Sequence, residues 1–580
     1  MVSIKNALLM PNSNQFLAKG LVTALIVSSQ CSGALAAGKF PSFRRMRSQP
    51  ATTIATSTAL EVGVGEMAPP NPERSADSLF ANDNPILWTD SYKASQYNMF
   101  FDKEFDEDGL KERLVRMYAF IEARTGGKHS EVVVAGIQHI AKKLASVRVT
   151  AQMVDEAESF YKKHFGVGSI FNRIPWDVVV RKHGGRLPLR VNSLPEGTIV
   201  PLGIPMVTIE STDEDCAQLV SHFEGLIQKA IWYPTTVATT SLDFSKVISA
   251  ALDRTTTLAT KQGWLPFALQ DFGYRGASSE EAAQLGGVAH LYISKGSDTV
   301  TAVDYAIKNF GGEEMPGYSV AACEHNQMMS KGRAGEFKLV KRLISQYPSG
   351  ILSVVADTFD LRNFVDQVSK EGVLRNLIMS RSGTFVIRPD SQIKREDGSE
   401  MTPAETISDI FATLGRNLGT LVKTNDRGFK VLDSHYKVIY GDGLNVAKIA
   451  DILAHMERDG WSAENIVFGV GGNLLQKGID RDTDRFAMKA SEQEYEITTR
   501  DGRVYREIRQ TAKETPGKES KKGRFQVVSV DGAIQVAAEG TRSEPNLLRT
   551  YFLNGEVVGS MDTLPTIRER INAHRALKQY

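Results

Sequence analysis

The chain has 580 residues, 42% hydrophobic and 24% charged, with a formal net charge of +1. That balance is globular, with material for roughly two to four domains, and it excludes the whole-molecule field that a nucleic-acid or membrane-surface partner would use. The three cysteines, Cys31, Cys216 and Cys323, match neither metal-ligand spacing nor a disulfide framework.

Residues 1–83 read as a targeting leader and linker, largely disordered. No Asp or Glu precedes Glu61. Lys5 and Lys19 come before the apolar run Leu21–Val27, and Ala34-Leu35-Ala36 offers a small-residue cleavage pattern. The next stretch, FPSFRRMRSQPATTIATSTA, is basic and rich in Ser and Thr. A signal-like piece followed by a transit-like piece predicts an organellar address, plastid or mitochondrion, with a cytoplasmic or secreted protein as the alternative. The apolar run is far too short to span a bilayer, so no membrane is expected to hold the mature form. Folded structure is expected to begin near Asn84.

Residues 84–264 predict a flanking α+β domain. RLPLRVNSLPEGTIVPLGIPMVTIES reads as short strands between proline-punctuated turns. SHFEGLIQKAIWYPTTVATTSLDFSKVISAALDR reads as helix, broken at Pro234.

From 265 to 490 short apolar runs alternate with helix-like segments. WLPFALQ, HLYIS, GYSVAAC, GILSVVA, TFVI, YKVIY and NIVF each lead into a polar or glycine-rich turn. Continuous apolar runs fit buried parallel strands. Their alternation with helices predicts an α/β domain, and so many units favour a closed barrel. Catalytic groups in such barrels sit on the loops after the strands. Those loops carry Asp271, Arg275, Asp298, Glu324, His325, Asp357, Arg388, Asp390 and Asp442. The last two loops contain Gly441-Asp442-Gly443 and Gly469-Val470-Gly471-Gly472. Glycine lets backbone amides approach an anion, and a following helix adds partial positive charge, so these loops predict phosphate binding. Residues 491–580 are expected to pack on the flanking domain. Within them KETPGKESKKGRF reads as a solvated loop or a phosphate contact.

Motifs then recur in order along nearly the whole folded part: TDSYK at 89–93, GIQ at 136–138, WYPTTVAT at 232–239, DFGYRG at 271–276, KGSDT at 295–299, PGYSV at 316–320 with Glu324-His325, RPDS at 388–391, GDG at 441–443, FGVGGNLLQK at 468–477 and SKKGR at 520–524. In these the chain resembles the nicotinate/nicotinamide phosphoribosyltransferase family, on its nicotinamide branch. It departs from the family pattern in NMFFDKEFDEDG after Tyr97, in GVGGN, at Gln510 and in one residue inserted before Arg481.

The resemblance implies a type II phosphoribosyltransferase fold, an irregular α/β barrel with a flanking α+β domain, working as a homodimer with shared active sites. It implies phosphoribosyl transfer from phosphoribosyl pyrophosphate to nicotinamide, giving nicotinamide mononucleotide and pyrophosphate in NAD salvage. Mg²⁺ is implied, with ligands the sequence does not identify, and ATP as co-substrate hydrolysed through a phosphohistidine. His325 would be that histidine, with Asp357 orienting it, Glu324 beside it and Asp390 as a ribose-side carboxylate. Phe272 and Tyr92 would sandwich the nicotinamide ring, Tyr92 coming from the other subunit, with Asp298 and Arg388 completing the base site. Arg275, Asp90 and Ser353 would serve the ribosyl substrate, and Gly441, Asp442, Gly471 and Gly472 its 5′-phosphate. Arg481 and Lys489 would be cationic contacts from the partner, and Arg124 and Lys518 would lie near diphosphate or ATP. The chemistry suits these roles. An imidazole whose tautomer is fixed is a competent nucleophile, and Asp298 would accept from an amide but meet a like charge in nicotinate. The alternatives are a nicotinate phosphoribosyltransferase, or a catalytically silent relative acting as a secreted or scaffold protein.

Overall fold

The computed structural model describes residues 84–166, 170–516 and 518–578. The leader and linker expected for residues 1–83 lie outside the described residues.

Seven short strands form one wholly parallel sheet, in the order Gly296–Ser297, Leu269–Asp271, Ile466–Val470, Tyr436–Tyr440, Phe385–Arg388, Leu352–Val355, Ala321–Ala322. Its two edges meet. Tyr318 N–H donates to Lys295 O at 2.8 Å and Ser297 N–H to Tyr318 O at 3.0 Å. The sheet therefore closes, and strands adjacent in the chain are adjacent around the ring. Every residue of Leu352–Val355 is buried, as expected of barrel strands with helices outside and side chains inside.

Two of the apolar runs behave differently from the sequence expectation. HLYIS is not a strand. His290 and Leu291 end the helix Glu280–Leu291, and the strand follows at Gly296–Ser297. That helix end is buried on all sides, and a short apolar run cannot be told from a buried helix turn by periodicity. GYSVAAC contributes only Ala321–Ala322 beyond the closing bridge at Tyr318.

The expected break at Pro234 is also absent. One helix runs from Glu224 to Thr255 with Pro234 inside it. A proline removes one helix hydrogen bond; here neighbouring bonds hold the helix in place. Thr235 and Thr239 hydroxyls accept the Ala135 and Val133 N–H groups at 3.1 and 3.0 Å. Thr236 and Thr239 hydroxyls also donate to Trp232 O and Thr235 O, both at 2.7 Å. The helix joins two cores. Leu226, Ile227 and Ile231 pack into the flanking core, while Val237, Leu242 and Ile248 pack into the barrel core.

The flanking sheet is antiparallel and draws on both ends of the folded chain. Its order is Val504–Arg509, Ala487–Thr499, Leu110–Glu122, Val207–Ser211, Leu189–Ser193, Arg549–Leu553, Glu556–Val557. The strand from Ala487 begins inside the range 265–490 that the sequence suggested for the barrel. The last helix, Leu564–Lys578, packs on the barrel core through Leu564, Ile567 and Ile571, and also meets the flanking residues, with Arg570 donating to Glu196 O and His574 Nε2 3.5 Å from Glu131 Oε2. Arg568 then donates to Leu291 O, Ser294 O and Pro316 O.

Candidate active site

The C-terminal strand ends carry the polar residues that the barrel argument predicts, with one exception. Asp271 is fully buried beneath the mouth.

His325 is the first residue of the helix His325–Met329, and Glu324 is its cap. Glu324 N–H donates to Gln327 Oε1 at 2.8 Å and its carboxylate accepts Asn326 Nδ2 at 2.9 Å. These bonds orient the backbone that presents the imidazole. His325 Nε2 lies 3.2 Å from Asp357 Oδ1, and Nδ1 lies 4.0 Å from Asp390 Oδ2. Burial raises the Asp390 carboxyl, as do the Asp357 and Asp442 carboxylates, against Arg388 and His325, which lower it. Three carboxylates, the Arg388 guanidinium and the His325 imidazole thus share one electrostatic neighbourhood. Arg388 Nε is buried without a hydrogen-bond partner among the described residues. A buried donor left unpaired in the protein points to a ligand oxygen or water. Ser353 is buried on the neighbouring strand, its carbonyl accepting Cys323 N–H at 3.0 Å.

The two glycine-rich loops come together. Asn473 Nδ2 donates to Leu444 O at 2.7 Å, tying one to the other. Phe272 lies across both. A Cβ on Gly469 would stand 2.1 Å from Phe272 Cε2, and one on Gly441 3.4 Å from it. Glycine at 469 is therefore demanded by the aromatic ring. A Cβ on Gly472 would meet nothing within 4 Å, so close packing does not account for glycine there. Phe272 N–H donates to Val470 O at 3.0 Å. The exposed Arg275 sits in the turn Tyr274–Gly276, where a Cβ on Gly276 would come within 3.2 Å of Gly472 Cα. Asp442 Oδ2 accepts Gln392 Nε2 at 3.1 Å. Asp298 is exposed and takes a short hydrogen bond from Ser319. It is therefore already partnered in the free protein.

A family model described as the nicotinate phosphoribosyltransferase family matches residues 267–556, and one described as the nicotinamide phosphoribosyltransferase N-terminal domain matches residues 84–191. A nicotinamide phosphoribosyltransferase of Xanthomonas campestris is 35% identical over 506 residues, covering 85% of this chain and 99% of that one. The chain belongs to this family. A second relative of the same name, from Acinetobacter baylyi, is 29% identical over 411 residues, covering 67% of this chain and 76% of that one. A solved nicotinate-nucleotide pyrophosphorylase from Pyrococcus furiosus aligns at TM-score 0.53 with 16% identity, over 88% of this chain and 100% of that one, a likeness of fold alone.

Of the remaining candidates, Lys489 lies on the flanking strand Ala487–Thr499 and Arg124 just beyond the end of Leu110–Glu122, in one electrostatic neighbourhood. Burial lowers the Lys489 ammonium, as do the cations Arg124, Lys513 and Lys93, against Glu224. Lys93 pairs with Glu224, and Arg124 Nε donates to Arg485 O at 2.9 Å. Tyr92, 55% exposed, and Asp90 belong to the short helix next to Lys93 and its cap. Among the described residues Arg481 forms an ion pair only with the adjacent Asp482, at 2.9 Å, and Lys518 is exposed in its loop. Among the described residues no hydrogen bond or ion pair joins Tyr92, Arg124, Lys489 or Lys518 to the barrel mouth. Sequence reasoning passed over Ser319, Ser391 and Gln392. All three lie inside or beside motifs already marked, GYSV and RPDS, but neutral side chains carry no signal until their partners are seen.

Proposed function

We propose that this chain transfers the phosphoribosyl group of phosphoribosyl pyrophosphate to nicotinamide, forming nicotinamide mononucleotide and pyrophosphate in NAD salvage. The observation that carries the proposal is the contact of Phe272 with Gly441 and Gly469, which sets an aromatic face beside the two loops suited to a phosphate. A flat ring stacks on a flat heterocycle, worth about 0.5–1.5 kcal/mol beyond burial. Asp298, one strand away, accepts from the amide of the base. Arg388, with its unpaired buried N–H, meets an oxygen of the substrate. The reaction needs little proton transfer. Positive charge develops on the ribose as pyrophosphate leaves, and Asp390 and Asp442 oppose it electrostatically while the loops fix the phosphate.

His325 is the residue proposed to take a phosphoryl group from ATP. Donation from Nε2 to Asp357 would leave a lone pair on Nδ1 for attack on the γ-phosphorus, with ADP leaving. Mg²⁺ on these substrates needs only one or two carboxylates besides phosphate oxygens and water. Among the described residues no group of three or more His, Cys, Asp or Glu is set to hold a metal. Asp390 and Asp442, held in one neighbourhood of like charge, fit the lesser demand. Their mutual repulsion is what a divalent cation would relieve. Completion of the base site by Tyr92, and of the phosphate site by Arg124, Arg481, Lys489 and Lys518, is proposed to come from the second subunit of a homodimer. An organellar address for the leader rests on its sequence, and mass spectrometry of the mature N-terminus tests it.

The deciding assay measures mononucleotide formation by the purified protein from nicotinamide and from nicotinate, each with and without ATP. Preference for nicotinamide, raised by ATP, is expected. Preference for nicotinate, or no transfer from either base, would overturn the proposal.

A further inference from the structure

Asp271 ends the strand Leu269–Asp271 and is 0% exposed. Its register partner on the neighbouring parallel strand is Ser297. The next residue on each strand is Phe272 and Asp298, the two proposed walls of the base site. Asp271 binds both sides. Its Oδ1 accepts Gly273 N–H at 2.7 Å, and its carbonyl accepts Asp298 N–H at 2.9 Å. Ser297 Oγ accepts Thr299 N–H at 3.1 Å, which leaves its own proton for Asp271 Oδ2, 3.5 Å away. The turn after Phe272 is therefore tied to the Asp271 side chain, and the turn around Asp298 to the Asp271 carbonyl and, through Ser297, to its other carboxylate oxygen.

The surroundings leave that side chain little freedom. A Cβ on Gly287 would stand 2.4 Å from Ala302 Cβ and 3.3 Å from Asp271 Oδ2. His290, fully buried, is held by Ser241 Oγ and Gly296 O, both at 2.9 Å, and its ring acts electrostatically on Asp271. A carboxylate offers two acceptors and no donor, which suits one N–H and one O–H. Burying it is costly, and its bonds run to backbone and hydroxyl groups beneath the site.

We infer that Asp271 is a positioning residue for base recognition, setting the separation and orientation of Phe272 and Asp298 without touching the base. The inference rests on the assignment of those two residues to the base site. Its test compares wild type with Asp271→Asn, Asp271→Leu and Ser297→Ala, all full-length, measuring KM for nicotinamide and for phosphoribosyl pyrophosphate separately, with melting temperature alongside. Asn keeps one acceptor for Gly273 and can turn its NH₂ to Ser297, so its nicotinamide KM should stay within about threefold of wild type. Leu should raise that KM about tenfold or more while KM for phosphoribosyl pyrophosphate moves less than about twofold. If the Leu variant does not fold, Ser297→Ala carries the test, with a nicotinamide KM raised at least about threefold. An active wild type whose Leu and Ser297→Ala variants keep their nicotinamide KM, or raise both KM values equally, overturns the inference. A wild type that makes no mononucleotide removes the base site itself, a failure seen before any variant is measured.

Discussion

Asp357 bridges three successive strand ends: one carboxylate oxygen faces His325 Nε2 at 3.2 Å and the other accepts the Ser391 hydroxyl at 2.6 Å. The Asp357 side chain is only 6% exposed, whereas His325 is 39% exposed, so a carboxylate fixed by its two bonds orients an imidazole that stays open to solvent. Asp357→Ala should lower the ATP-stimulated rate about tenfold or more, while transfer without ATP stays within about threefold. Parallel assays of mononucleotide formation and ATP hydrolysis check it. Equal losses with and without ATP would place Asp357 in transfer itself.

Asp298 is exposed and bonded to Ser319. Its replacement should therefore move substrate preference rather than stability. Asp298→Asn removes the charge that opposes a nicotinate carboxylate, and the ratio of kcat/KM for nicotinamide over nicotinate should fall about tenfold. Surface positions change stability by about 0.5 kcal/mol or less, so the denaturation midpoint should hardly shift. An unchanged ratio would remove Asp298 from base selection.

Most of the barrel was legible because its strands are buried on both faces and read as unbroken apolar runs. The runs that misled were the shortest strands, Gly296–Ser297 and Ala321–Ala322. Two residues carry no period, so neighbouring helix or loop sequence absorbed the signal. Pro234 misled for a different reason. The bonds that steady its helix come from residues 100 or more positions away in the chain, beyond any local rule. At the mouth, the titratable residues were visible as residue types at strand ends. What sequence could not separate was Asp298, exposed, from Asp271, buried: both are aspartates just after an apolar run, and only the pairing of the strands sends them to different depths.

Two nearby glycines, Gly469 in the strand Ile466–Val470 and Gly472 at the start of the helix that follows, should respond oppositely to an added methyl group. At Gly469 it would strike the Phe272 ring, 2.1 Å away, whereas at Gly472 it would enter open space. Gly469→Ala should destabilise by about 1–3 kcal/mol, the usual range for overpacking, and raise KM for nicotinamide by displacing Phe272. Gly472→Ala should leave stability within about 0.5 kcal/mol and raise KM for phosphoribosyl pyrophosphate instead, as the proposed close approach of backbone to phosphate requires. Denaturant titrations with KM values for both substrates check the pair. A stable Gly469→Ala with normal nicotinamide KM would contradict the packing argument.

Asp390 should make activity and stability pull apart with pH. Burial, together with Asp357 and Asp442, holds its carboxyl above the ordinary carboxylate range. Between the unfolded value and that raised value the folded state binds the extra proton. Stability therefore falls as pH rises through this window and stays lower above it. Asp390→Asn removes the effect. The variant should melt higher than wild type at neutral pH, with the gain shrinking once pH drops below the ordinary carboxylate range. Transfer should meanwhile fall about tenfold or more, because the carboxylate proposed to face the ribose is gone. Melting curves across pH, set beside rates, check both halves, and an Asp390→Asn variant that melts lower at neutral pH would contradict the sign.

Complementation between variants tests whether the flanking cluster serves another subunit's barrel. Lys489 shares its electrostatic surroundings with Arg124, Lys93 and Lys513, a concentration of positive charge suited to phosphate oxygens. Phe272 and Asp298, by contrast, belong to the barrel mouth. If the two groups meet only across a dimer, Lys489→Ala and Asp298→Ala are defects in different halves of a shared site. Each variant alone should lose transfer about tenfold or more with nicotinamide. Mixed and allowed to exchange subunits, half of the dimers become hybrids, and each hybrid holds one site with both residues intact, so about a quarter of all sites should recover. Rates of mononucleotide formation before and after subunit exchange give the answer. Recovery to that level supports residues supplied in trans, whereas a mixture no more active than its parents would return the Lys489 cluster to the same chain's barrel or to a purely structural role.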